Sequence, residues 1–131
     1  MSVVQSRDNR TFEAYGDLSA AQFKFVQAGE VNDAGEVIIQ VTTTDGGDGV
    51  LGVIISGAPE YSACTVTVTG RTMVKASENI GAGALVTSDS SGFARLADQV
   101  GDTILGTCVK TCSTGGYAEI ELFLGGNVVE V

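Results

Sequence analysis

From residue 23 onward the hydrophobic positions fall into short runs separated by glycine-bearing turns. Val37-Ile38-Ile39-Gln40-Val41 leads to the cluster Asp45-Gly46-Gly47-Asp48-Gly49. Val50 to Ile55 is an apolar run short enough for a strand buried on both faces. Cys64-Thr65-Val66-Thr67-Val68-Thr69 alternates strictly, which puts Cys64, Val66 and Val68 on one face and the threonines on the other. Met73-Val74-Lys75 follows Gly70. Then come Ala84-Leu85-Val86, a turn at Asp89-Ser90-Ser91-Gly92, Phe93-Ala94-Arg95-Leu96, and an apolar strand from Ile104 to Val109. Ala118 to Leu124 alternates again, with Glu119 and Glu121 outward. Strands at this spacing, joined by glycine turns, predict an all-β fold, a compact β-barrel or sandwich.

The pattern repeats. Val50-Leu51-Gly52-Val53 matches Ile104-Leu105-Gly106-Thr107, and Val66-Thr67-Val68 matches Ile120-Glu121-Leu122, both at an offset of 54 residues. Asn32-Asp33-Ala34-Gly35 stands where Asp89-Ser90-Ser91-Gly92 stands later, with a small change of length. The expectation is a core of two similar halves, about residues 23–70 and 84–124, within a β-rich domain spanning 17–131. Residues 1–16 read as an extended N-terminal arm with little structure of its own, because strand alternation is weak before residue 23. On that reading, removing residues 2–16 leaves the β core folded; the alternative is that the arm packs on its own barrel as an ordinary first strand. Asp17 is placed to cap a short helical turn over Leu18-Ser19-Ala20-Ala21-Gln22.

Composition narrows function. The net charge is −9 with no histidine and no tryptophan. An acidic chain is poorly suited to neutralising phosphates or docking on an anionic membrane, so neither nucleic acid nor membrane is an expected partner. Residues 1–24 balance Arg7, Arg10 and Lys24 against Asp8, Glu13 and Asp17, so the net charge sits on the remainder. No apolar run approaches the roughly 20 residues needed to span a bilayer, and no secretory leader is visible at the start. Cys64, Cys108 and Cys112 are an odd set, expected as reduced core residues of a protein made in a cytoplasm.

Chemistry-bearing motifs are scarce. Asp45 to Gly49 lacks the spaced carboxylates of a calcium loop and reads as a solvated hairpin turn. Gly81-Ala82-Gly83 lacks the third glycine and the helix of a dinucleotide loop. The cysteines lack a fourth zinc ligand, and no serine has a histidine to activate it. The expectation is therefore no enzyme, no metal and no cofactor. A carboxylate hydrolase stays open only because surface acids are plentiful.

Asp17-Leu18-Ser19-Ala20-Ala21-Gln22-Phe23-Lys24-Phe25-Val26 opens a series of segments that resembles the capsid decoration (cement) proteins of tailed bacteriophages, in the branch with small two-repeat β domains. The turn ending at Gly35, Val50-Leu51-Gly52-Val53, Pro59, and the strand from Cys64 to Gly70 follow in the family's order. So do the stretch from Ile80 to Gly92, the triplet Ile104-Leu105-Gly106 and the closing strand Ala118 to Leu124. The glycine-rich loop and the cysteines have no counterpart in that pattern.

The resemblance implies a structural protein on the outer surface of the virion. It would bind the expanded phage head and stabilise the capsid lattice, with the major capsid protein and neighbouring decoration subunits, in a homotrimer, as partners. The contact residues it suggests are Arg7 and Arg10, pairing with capsid carboxylates, together with Phe12, Tyr15, Leu18, Gln22, Phe23 and Phe25. The alternative is a virion-surface β module that recognises host glycans or another surface ligand. Lack of tryptophan and only three tyrosines weigh against it.

Overall fold

A computed structural model of the chain describes residues 7–130, and among them every regular element is a strand. These are β1 (Arg7–Ala14), β2 (Phe25–Val31), β3 (Val37–Val41), β4 (Val50–Ser56), β5 (Ala63–Lys75), β6 (Leu85–Ser88), β7 (Ala94–Leu96), β8 (Gly106–Lys110) and β9 (Tyr117–Leu122). They hydrogen-bond in the order β1-β3-β2-β4-β5-β9-β8-β6-β7, and β1 also pairs with β5. That extra pairing closes the first five strands into a barrel. The fold is thus barrel rather than sandwich.

The second half repeats the construction. β5, β9, β8, β6 and β7 follow in order, and a parallel bridge from Ala76 to Ala94 joins the ends. In the first barrel the same place holds the parallel pair Ala14 to Ile39. Registers agree as well. Val53 faces Thr67 and Ile54 faces Val66 in the first barrel, while Thr107 faces Glu121 and Cys108 faces Ile120 in the second. Both ladders then slip at a bulge, before Ser56 to Thr65 and before Lys110 to Glu119. The two turns match atom for atom. Asn32 accepts through Oδ1 from the N–H groups of Ala34 and Glu36, and Asp89 does so from Ser91 and Phe93.

Each barrel has its own core. Ala14, Leu18, Val26, Ile39, Ile54, Cys64 and Val66 fill the first. Ala76, Ile80, Val86, Ala94, Cys108, Ala118 and Ile120 take the matching places in the second, where Phe25, Val50 and Val53 join from the first barrel. Each fully buried valine, leucine, isoleucine or phenylalanine among them contributes about 1.5–3 kcal/mol. The strand pairs approach so closely that glycine is required at one matched position. A Cβ on Gly52 would lie 2.3 Å from the Thr67 carbonyl oxygen, and one on Gly106 would lie 2.5 Å from that of Glu121.

Four expectations need correction. Residues 7–14 are not a loose arm: β1 runs antiparallel to β5 from Arg7–Gly70 to Glu13–Ala63 and supplies the strand that closes the barrel. Residues 1–6 lie outside the described residues. Asp17 caps no helix. It accepts from the backbone N–H and hydroxyl of Ser19 in a local turn, since Leu18 is drawn inward as its N–H donates to the Ala58 carbonyl. Asp45 to Gly49 is not a solvated hairpin. β2 lies between β3 and β4, and Gly46 and Gly47 are buried against the second barrel. Gly70 does not end a strand. With φ of 104° it lets one strand run on, pairing with Arg7 in one barrel and Leu122 in the other.

Alanine at Gly52 or Gly106 is expected to destabilise the protein by about 3 kcal/mol, to a similar extent at either site, as read by urea denaturation. Deleting residues 2–16 removes a barrel strand and leaves β5 with an open edge. The truncated chain is expected to lose dispersed amide resonances in its first half, in contrast to the arm reading, which expects an unchanged β core.

Candidate functional site

The first hairpin projects past its barrel. β2 bulges between Ala28 and Glu30, and the longer hairpin ends with Val31 opposite Val37. Val31 is 63% exposed and Tyr61, on the loop before β5, is equally so. Between hairpin and β1 opens a cavity of about 370 Å³ lined by Thr11, Phe12, Glu13, Asn32, Glu36, Val37 and Ala63. A smaller recess of about 250 Å³ adjoins it at Asn32 and takes in Glu30, Asp33 and Tyr61. Glu13, Glu30, Asp33 and Glu36 thus surround an apolar floor, and none joins an ion pair among the described residues. Glu36 accepts only a long bond from the Asn32 amide, at 3.4 Å. The place can hold an apolar group with a cation beside it.

Tyr61 has φ of 63°, in the left-handed region that bulky residues seldom occupy. The matching residue of the second barrel is Gly115, with φ of 81°. In both, the N–H donates to the same carbonyl position, Ala14 for Tyr61 and Ala76 for Gly115. An exposed aromatic kept where glycine serves better is a local strain that packing does not require.

The residues suggested by the sequence divide into three groups. Leu18 and Phe25 are buried in the cores, so their apolar surface is used within the fold and is not available for contact. Phe12, Tyr15 and Phe23 are half-buried. Phe12 packs on the first core while forming part of the cavity, and Tyr15 covers Gly29, where a Cβ would meet the ring at 2.8 Å. Phe23 stands edge-on to Tyr117. Arg10 and Gln22 are exposed. Arg10 pairs with Asp8 at 3.0 Å, which lowers the Asp8 carboxyl below its ordinary range, and Gln22 donates to the Ile55 carbonyl. Arg7 takes its place in β1 opposite Gly70. Val31, Glu36, Val37 and Tyr61 were not anticipated. The extra residues of the first hairpin relative to the second were the available signal.

Opposite the cavity, charge fixes one barrel to the other. Arg95, on β7, donates to both oxygens of Asp102 at 2.8 Å and to Asp45 at 2.9 Å, and Asp45 belongs to the loop between β3 and β4. Asp102 is 5% exposed and also accepts from the Gln99 N–H. The guanidinium bonds hold its carboxyl below the ordinary 3.8 despite burial. The three cysteines are free, and burial pushes the Cys64 and Cys112 thiols up, away from the reactive thiolate.

No protein-family model matches this sequence, and no curated protein matches it. Among solved structures the fold is similar to the N-terminal base of the head fiber protein gp8.5 of bacteriophage phi29. The likeness has a TM-score of 0.66 at 15% identity and covers 95% of this chain and 100% of that one. At that identity the likeness is one of fold.

Because Asp102 is held below its unfolded value, the stability it contributes is complete above pH 3.8 and is lost as pH falls below it. Asp102→Asn is expected to flatten that part of the acid-unfolding curve. Arg95→Met leaves a buried carboxylate unpaired and is expected to cost about 3–5 kcal/mol in urea denaturation at pH 7.

Proposed function

We propose that this chain is a structural protein of a phage head that binds the outer surface of the expanded capsid and reinforces its lattice. The observation that carries the reading is the fold likeness to a phage head fiber base along almost the whole chain. The order of segments shared with the decoration proteins points the same way and was reached from sequence alone.

The physics of the molecule supports such a role. Two barrels share one continuous strand and the Arg95–Asp45 bridge, and the second holds the buried Arg95–Asp102 pair, which makes a body that resists unfolding. An acidic outer surface keeps a particle covered with many copies soluble. Many modest contacts, repeated over a lattice, reinforce it collectively. Major capsid protein is the partner, with neighbouring subunits completing a trimer. Arg10, Gln22 and the half-buried Phe12 and Tyr15 remain candidates for contact, while Phe23 is engaged with Tyr117. The role calls for no catalysis, metal or cofactor.

Purified protein mixed with undecorated expanded heads and with unexpanded proheads is expected to co-sediment saturably with the expanded heads only. Absence of binding to either particle would overturn the capsid assignment.

A further inference from the structure

The two barrels offer the same place with different contents. In the second, Lys75 faces Tyr117 across β5 and β9, and Phe93 follows the Asp89 turn. In the first, the matching register positions hold Glu13 opposite Ala63 and Ile38 in the place of Phe93, and Glu36, which follows the Asn32 turn, lies two residues further out on the longer hairpin. The second-barrel place is occupied by the chain itself. Phe23 lies edge-on to Tyr117, ring centroids 5.4 Å apart, and its carbonyl accepts from the Lys75 N–H at 2.8 Å. The Lys24 and Lys75 ammoniums lie 5.2 and 5.6 Å from the Phe93 ring centre. A Phe-Lys dipeptide from one barrel is thus seated on the other by an aromatic edge and a cation–π contact.

Phe23 holds φ of 65° to reach that seat, where the second barrel's matching residue, Gly83, has 91°. Both donate their N–H to the same position at 2.7 Å, Ile54 for Phe23 and Cys108 for Gly83. The phenylalanine therefore sits in a backbone site suited to glycine, held there by the contact its ring makes.

The first-barrel place is the open cavity walled by Phe12, Val37 and Ala63, with Glu13 and Glu36 beside them in no ion pair among the described residues. We propose that this cavity is a socket for a turn of the partner protein that carries an apolar side chain followed by lysine or arginine. The turn seats there as Phe23-Lys24 seats on the second barrel. Glu13 in place of Lys75, joined by Glu36 on the cavity wall, puts two carboxylates beside the incoming cation and makes the site selective for it. A second copy does not supply that turn. Its Phe23-Lys24 is engaged within its own chain, and the matching segment of its second barrel is Gly83-Ala84, which has no cation. That the partner is the head protein rests on the reading above; the socket itself does not.

Two measurements test it. In co-sedimentation with expanded heads, E13K/E36K is expected to bind at least tenfold more weakly than wild type. E119K/E130K, with the same change of charge on other surfaces, is expected to stay within twofold. Thermal melts check that both variants fold. Equal binding by E13K/E36K, or an equal loss in the control, overturns the socket while leaving head binding by the wild type intact. Independently of heads, the peptide Ala-Gln-Phe-Lys-Phe-Val, matching residues 21–26, is titrated into isotope-labelled protein. It is expected to shift the amide resonances of residues 11–13, 36, 37 and 63. Absence of shifts there at millimolar peptide overturns the socket whatever the heads do. Concentration-dependent self-association that E13K/E36K abolishes would also overturn it, in favour of a second copy.

Discussion

The architecture depends on one strand belonging to two barrels. β5 pairs with β1 and β4 through its first half and with β9 through its second, and Gly70 is the residue held in both ladders. Glycine permits the left-handed φ that turns the strand from one barrel axis towards the other without breaking it. With the strand continuous, the barrels cannot separate as beads on a linker. Phe25, Val50 and Val53 then pack from the first barrel into the second core, and Arg95 holds the loop that carries Asp45.

Much of this was legible in the sequence. Period-two alternation located β5 and β9, and the short apolar runs located β3, β4 and β8, because strand burial leaves a direct trace in side-chain chemistry. The repeat was legible for a sharper reason. Gly52 and Gly106 are each pressed against a carbonyl, so the V/I-L-G signature reports backbone contact rather than composition. β1 reads first as an arm, with an ordinary first strand as the alternative, since it presents mostly polar residues outward and buries little beyond Ala14 and part of Phe12. Its long partner, β5, lies fifty or more residues away, and such pairing leaves no local mark. The Asp45 to Gly49 loop misled because glycines suited to a solvated turn also suit a tight approach. At Gly47 a Cβ would lie 2.5 Å from the Thr87 hydroxyl.

The surface was less readable than the core. Leu18 and Phe25 belong to a segment whose order resembles a decoration protein, yet both are interior. Val31, Val37 and Tyr61 are ordinary strand and loop residues by sequence and become an exposed end only once the hairpin outgrows its barrel. The differences between the halves carry the information. Lys75 against Glu13, Tyr117 against Ala63 and Gly83 against Phe23 mark where two copies of one plan have diverged in their surroundings while their ladders stayed in register.

Sharing β5 also sets an order of events during synthesis. β1 leaves the ribosome first, but the strand that closes its barrel ends the ladder at Gly70, so the first barrel stays open until that residue is free. Until then β1 and β4 are exposed strand edges on a nascent chain. The second half of β5 then waits in turn for β9, whose pairing spans Tyr117 to Leu122. Chain order thus frees every strand of the first barrel before the last strand of the second is made.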